Sequence, residues 1–443
     1  MSRGEAMSSS TQPGDWTALG NVARAFYEAY EHVQKARSIT GSAKHTDRAE
    51  LRLLAANFTA LEATLFPWLG SASSLDRAAS AAGRGIAITT GTKYALVAKL
   101  AITAIRRLGS PLPIEVFFCG DDDLAAAERA MLAALPGVAV VDMRTRLAIT
   151  DCQRSWGNKP FAALASSFRE VILMDADTMF VQPPDVLFGM RGYADTGALL
   201  FRDRTLPFGT NGYWGHDLVA VLEQIAAPFA GNMLLRDNRP LSRKGSEEID
   251  SGVVVWDKAR VMPVVLLTCL LNAPPFTVSK LARLHGDKET FLIAHEALHV
   301  PFATGPSFGS AIGQLTLREP NRPRVCGPLL HVDADASPVW INGGLGKRIP
   351  SVNPEVVWPE YLAIDDRGYD LDWDHSRALI CLVAGENGIV EGKPAARLVR
   401  VSGNAKSMLD WMAAEWIETF QIKHEPQNVV PVVAGSAPEG GNQ

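Results

Sequence analysis

The sequence predicts an α/β fold, a mostly parallel doubly wound sheet with a layer of helices ahead of it. Two patterns carry this. Between Gly85 and Asp177, short apolar runs alternate with stretches of helical period in a β-α-β-α-β order, the signature of parallel strands joined by crossover helices. From residue 16 to about 68, apolar and aromatic residues recur at three- and four-residue spacing through Val22, Ala25, Phe26 and Ala29, then Leu51, Leu54, Phe58 and Leu61, which is helix period. Composition agrees: the 443 residues are 47% hydrophobic and 21% charged, enough apolar chain for a large core.

Taken in order, Met1–Asp15 is Ser/Gly-rich and reads as a disordered tail. Residues 16–84 read as an N-terminal helical region closed by a Ser/Ala/Gly-rich linker over 69–84. Ile86-Ala87-Ile88 is a buried strand, followed by a helix from about Lys93 to Leu108 and a strand from Pro113 to Cys119. Asp122 to Leu135 is a second helix, with acidic residues at its N-terminus where the helix dipole favours them. Val138 to Asp142 is a strand, Lys159 to Ser167 a helix, and Val171 to Met174 a strand ending in Asp175-Ala176-Asp177. Less regular strands follow at Ala198–Phe201 and Gly252–Trp256, and helices at Leu218–Ile225 and Arg260–Leu271. The sheet domain is placed at 85–350. Residues 351–424 read as an extension packed on it, with strands at Arg377–Ala384 and Ala396–Val401 and a helix at Lys406–Phe420. The Pro/Gly-rich stretch 425–443 reads as a loose tail.

A net charge of −5 calls for no nucleic-acid partner. Cys119, Cys152, Cys269, Cys326 and Cys381 contain no Cys-x-x-Cys pair, which argues against a zinc site and permits at most two disulfides. No apolar run reaches transmembrane length and no signal peptide opens the chain. The expectation is a soluble, cytoplasmic protein, or a Golgi-luminal one if an anchor is missing from this sequence.

The sharpest chemical feature is EVILMDADTMF, residues 170–180. Alternation along a strand puts Asp175 and Asp177 on one side, at the carboxyl end where α/β sheets bind ligands. Two such carboxylates repel unless a cation sits between them. Oxygen ligands suit Mg²⁺ or Mn²⁺. The plainer alternative is a solvated pair that caps the next turn. A dehalogenase-type phosphatase is disfavoured, because Thr178 follows Asp177 directly and the strand is the fourth of its domain.

Read with the ordered blocks GIAITTGTKYALVAKLAITAIRRLGSPLPIEVFFCGDDDL (85–124), WGNKPFAALASSFREVILMDADTMF (156–180), TGALLFRDRT (196–205), EIDSGVVVWDK (248–258), HGDKETF (285–291) and HVDADASPVWINGG (331–344), the chain resembles the fungal alpha-1,3-mannosyltransferase family of Golgi glycan synthesis. It is more distantly similar to the glycogenin-like retaining transferases. The resemblance runs from about Gly85 to Gly346. It implies a GT-A nucleotide-diphospho-sugar transferase domain, a divalent metal (Mn²⁺ or Mg²⁺), a nucleotide-sugar donor, usually GDP-mannose, and retention of the α linkage.

The resemblance also implies roles. Asp175 and Asp177 match the Asp-x-Asp metal site, Asp175 also facing the donor, and His331 matches a late metal ligand. Lys159 and, on the Gly343-Gly344 loop, Lys347 would meet donor phosphate. Thr89, Thr90 and Tyr94 would meet the nucleoside. Asp250-Ser251-Gly252 would face the donor sugar, with Glu247 and Glu248 adding acidity. Asp287 would lie near the reacting carbon, although Asp287 with Thr290 also reads as a helix N-cap. Trp340 and Trp214 are candidate acceptor platforms. The acceptor would be a glycan, glycoprotein or small molecule. Two other functions stand beside this one: transfer from another donor such as a UDP-sugar to a small molecule or lipid, and non-catalytic carbohydrate binding.

Overall fold

The computed structural model describes residues 15–39, 45–149, 156–209, 214–229, 231–274, 276, 284, 286–318, 322–347, 355–369, 372–374 and 379–422. The N-terminal tail to residue 14 and the tail from 423 lie outside these.

Helices α1 (Trp16–Ile39) and α2 (His45–Leu65) open the chain. The stretch 69–84, expected as a linker, carries a third helix, α3 (Ser74–Ser80). Its small residues hide a cap: the Ser73 hydroxyl accepts the Asp76 N–H, satisfying one of the free amides of a helix start. Leu75 and Ala78 face inward.

The predicted alternation is present. Strands β1 (Arg84–Thr89), β2 (Ile114–Phe118), β3 (Val138–Asp142) and β4 (Glu170–Asp175) lie in the order β3-β2-β1-β4, all parallel. They are joined by α4 (Ala95–Arg107), α5 (Ala126–Ala133) and α6 (Lys159–Ala165). Helix α5 starts later than expected because Asp123 turns back to accept the Cys119 N–H at 2.9 Å. After β5 (Met179–Phe180), the sheet continues with β6 (Ala198–Arg202), β7 (Ile249–Asp257) and β8 (Ala303–Thr304) in the order β4-β7-β6-β8. Among the described strands of this sheet β7 runs against the rest.

Both faces of the sheet are covered, which is why its strands are apolar runs rather than alternating ones. Ala87, Phe117, Val171 and Leu173 point into one core, with α1, α6 and the helices Trp214–Ile225, Lys258–Asn272 and Lys288–Leu298. Ile86, Ile88, Val116, Ile172 and Met174 point into the other, with α4 and the helix Gly403–Phe420.

A second, largely antiparallel sheet contains β5, the strands Ser310–Arg318, Arg322–Cys326, Leu329–Val332 and Pro338–Asn342, and then Tyr361–Ile364, Leu379–Gly385 and Ala396–Arg400. The boundary expected at 350 therefore cuts through one sheet. Tyr361–Ile364 pairs with both Ser310–Arg318 and Ala396–Arg400, and a Cys326–Cys381 disulfide joins register partners. Cys119 is also disulfide-bonded, and Cys269 is a buried free thiol. Among the described residues no helix is long and apolar enough to cross a membrane.

Candidate active site

Strand order fixes where a site can form. The chain winds outward from β1 to β2 and β3, then returns to β4 on the other side of β1. The crevice beyond the carboxyl ends of β1 and β4 is the topological switch point. Thr89 and Asp175 are register partners there. Because β7 is antiparallel to β4, with Met174 opposite Val253, its leading residues Asp250-Ser251-Gly252 reach the same end.

Lys159 binds this cluster together. It is the first residue of α6 and is 1% exposed. Its Nζ lies 2.8 Å from Asp175 Oδ1 and 3.2 Å from Asp287 Oδ2, and donates to the Ser251 carbonyl and Oγ, each at 2.9 Å. Ser251 Oγ donates to Asp287 Oδ1 at 3.2 Å. Burial alone would discharge this lysine; Asp175 and Asp287 outweigh it and hold its pKa above the ordinary value. The ion pair to Asp287 is a matter of distance, since Asp287 Oδ2 receives no well-aligned hydrogen bond. Lys159 is thus spent on protein carboxylates rather than left free for a donor phosphate.

Asp287 does not cap its helix. It occupies the N-cap position with no side-chain cap bond; its carbonyl takes the Thr290 N–H at 2.9 Å, and the carboxylate turns into the site. Burial, eased by Lys159 and aggravated by Asp175, pushes its pKa up to about 6.

Asp177 differs from its neighbours. It is partly exposed, and its carboxylate has no ion-pair partner among the described residues. Burial, then the Asp175 charge, pushes its pKa up to about 7. The Tyr94 hydroxyl feels the same charge: burial first, then Asp177, raises it. For Asp175 burial outweighs the Lys159 ammonium at 2.8 Å, and its pKa stays above the ordinary carboxyl value. Among the described residues no three His, Cys, Asp or Glu side chains gather as a metal cage. An unpaired, acceptor-only carboxylate at a crevice mouth nevertheless suits a hard divalent cation that takes its remaining oxygens from a ligand.

His331 and Asp250 form a second unit. Asp250 Oδ1 accepts Asn342 Nδ2 at 2.7 Å and the Gly252 N–H at 2.9 Å, and its Oδ2 lies 3.0 Å from His331 Nε2. The His331 ring stacks on Trp340 with centroids 4.3 Å apart, and its Nδ1 is buried without a hydrogen bond. Trp340 is fully buried, so it is a wall of the core and not an acceptor platform. Gly252 is required by protein packing: a Cβ there would lie 2.8 Å from Asn342 Nδ2 and 2.9 Å from Trp340 Cζ3.

Other predicted residues divide. Thr89 ends β1 opposite Asp175, Tyr94 is exposed near Asp177, and Thr90 is buried. Glu247 and Glu248 add no free acidity, because Glu247 pairs with Lys288 and Glu248 with Arg202 and Arg239. Gly343 and Gly344 form a tight turn, φ +81° and +62°. Gly344 is packed under Trp416, whose Cη2 would meet a Cβ at 2.2 Å, so this is no loose phosphate loop. The side chains of Lys347 and Trp214 lie outside the described residues. Two residues were missed. Asn342 holds Asp250, and Thr178 donates to the Gly252 carbonyl at 3.0 Å. Thr178 had a signal, its place directly after Asp177; Asn342 had none.

A largely parallel sheet with one reversed strand, β7 between β4 and β6, thus carries a carboxylate pair at its switch point. Residues 83–333, more than half of the chain, match the family model described as "Mannosyltransferase putative", and the chain belongs to that family. It is 25% identical over 302 residues to Alpha-1,3-mannosyltransferase MNT3 of Saccharomyces cerevisiae, covering 59% of this chain and 46% of that one. It is 28% identical over 240 residues to Alpha-1,2-mannosyltransferase MNN2 of the same yeast, covering 48% and 40%. The chain thus spans less than half the length of these relatives. Among solved structures, galactosyltransferase LgtC in complex with donor and acceptor sugar analogs aligns with a TM-score of 0.32 and 10% identity, over 50% of this chain and 73% of that one.

Proposed function

We propose that the protein is a metal-dependent retaining glycosyltransferase that moves mannose from GDP-mannose to a hydroxyl of a glycan or other acceptor with α linkage. One observation carries the proposal: Asp177, without an ion-pair partner among the described residues, follows the carboxyl end of β4 beside Asp175 and Asp287, which Lys159 holds. Family membership and the named activities of the relatives support the choice of sugar and linkage.

On this reading the guanosine lies along Thr89, Thr90 and Tyr94, and the diphosphate reaches the Asp175–Asp177 edge. A divalent cation held there, when bound, supplies neutralisation of the leaving diphosphate. Lys159 is a positioning residue, fixing Asp175 and Asp287 relative to one another. The Asp250 carboxylate is held by Asn342, Gly252 and His331, and in turn orients the Ser251–Gly252 backbone beneath the sugar. Transfer breaks the bond between C1 and the diphosphate oxygen. The acceptor oxygen bonds to C1 on the same face, and its proton passes to the departing phosphate oxygen. Asp287 stabilises the positive charge that grows at the anomeric centre, an effect strengthened by exclusion of water.

The test is turnover of GDP-mannose against a panel of UDP-sugars, with Mn²⁺ and with excess chelator, and proton NMR of the product. Preference for GDP-mannose, loss of activity in chelator and an α-mannoside are expected. A UDP-sugar preference, chelator-resistant turnover or a β-mannoside would each contradict the corresponding part.

A further inference from the structure

We propose that the indole of Trp156 is the platform on which the acceptor sugar stacks; this rests on the transferase reading above. Trp156 begins the turn Trp156–Asn158, three residues before Lys159. Gly157 and Asn158 are buried, so the turn is anchored, yet Trp156 is 62% exposed. By contrast Trp256, Trp340 and Trp416 are all less than 2% exposed. A tryptophan held largely in water on an anchored turn gives up burial that its size would otherwise favour.

Its location supplies the reason. A Cβ built on Gly286 would lie 3.1 Å from Trp156 Cε3, so the indole rests against the Gly286 backbone. The next residue is Asp287, whose carboxylate turns inward to Lys159 and Ser251. The exposed ring thus lies against the residue that precedes Asp287, whose carboxylate is proposed to face the reacting carbon. A pyranose ring has an apolar C–H face and a rim of hydroxyls. The face matches the electron-rich indole, and the rim matches water and the neighbouring carboxylate. The donor's base is assigned to the Thr89–Tyr94 end, which carries its own aromatic ring. The signal was present in the sequence, where Trp156 stands in the block that carries Lys159, but exposure alone separates it from the core tryptophans.

Steady-state kinetics of Trp156→Ala and Trp156→Phe, with methyl α-mannoside as acceptor and GDP-mannose as donor, test the assignment. Trp156→Ala is expected to raise the acceptor KM about tenfold, the scale of one lost ring stack, and to leave the donor KM in place. Trp156→Phe keeps a ring and should recover most of the loss. An acceptor KM unmoved in Trp156→Ala, or a donor KM raised as much as the acceptor KM, overturns the platform while leaving the transferase reading intact. A wild-type chain that transfers no sugar from any nucleotide donor overturns that reading and this inference with it.

Discussion

Asp177, half-buried, and Lys159, fully buried, are opposite cases of a desolvated charge. Asp177 holds its proton more tightly in the folded chain than in the unfolded one, with its pKa near 7. Its contribution to stability is therefore full below the ordinary carboxyl range and is lost as pH rises through about 7. Asp177→Asn should raise stability at pH 8 by on the order of 1–2 kcal/mol in metal-free protein while removing turnover; denaturant melts at pH 5 and 8 check the sign. Mn²⁺ affinity of the metal-free protein should rise between pH 6 and 8 as Asp177 ionises, and an affinity that falls over that range, read by calorimetric titration, would contradict the role. Lys159→Met removes the charge that holds the buried Asp287 and half-buried Asp175 carboxylates. It should cost about 3–5 kcal/mol, the usual effect of orphaning a buried pair, measurable in the same melts. The residue types were legible in the sequence: Asp175, Asp177, Asp250, Asp287 and Lys159 all meet at one end of the sheet. Their pairing was not, because Lys159 and Ser251 are 92 residues apart and Asp250 and His331 are 81 apart, and no local pattern reports such contacts.

At the scale of elements, the parallel half of the main sheet was legible because each strand is apolar on both faces and each crossover helix has its own period. The misreadings were local turn chemistry. Ser73 caps a helix inside a stretch that looks like linker, and Asp287 sits at a cap position without capping. The second point is testable. Asp287→Asn keeps the shape of the helix start, so the melting temperature should stay near wild type at pH 8 while kcat falls; a large loss of stability would mean the carboxylate is structural. The Gly343–Gly344 turn gives a further test. Gly344→Ala forces a Cβ into Trp416 at a positive φ and should cost about 2–4 kcal/mol without altering donor affinity in the folded fraction.

For the molecule as a whole, the second sheet decides the boundaries. Its strands are short and pair across long stretches of chain, so neither period nor length marks them in sequence. Among the described residues, those after 350 supply four of its strands, Tyr361–Ile364, Asp372–Asp374, Leu379–Gly385 and Ala396–Arg400, and Met408, Leu409, Met412 and Trp416 from the last helix fill the core on one face of the main sheet. A chain ending at residue 350 should consequently lose cooperative unfolding, as read by circular dichroism melts, rather than behave as a trimmed catalytic domain. The same sheet reaches the site directly: β5, two residues beyond Asp177, pairs with the strand carrying Trp340 and Asn342. Both sheets thus meet beside Asp177, and calorimetric titration of GDP with and without Mn²⁺, into wild type and Asp177→Asn, tests its role most directly. Wild type should bind GDP tightly only with Mn²⁺, and Asp177→Asn should lose that metal-dependent binding. Equal GDP binding in the absence of metal, or in the variant, would contradict that role.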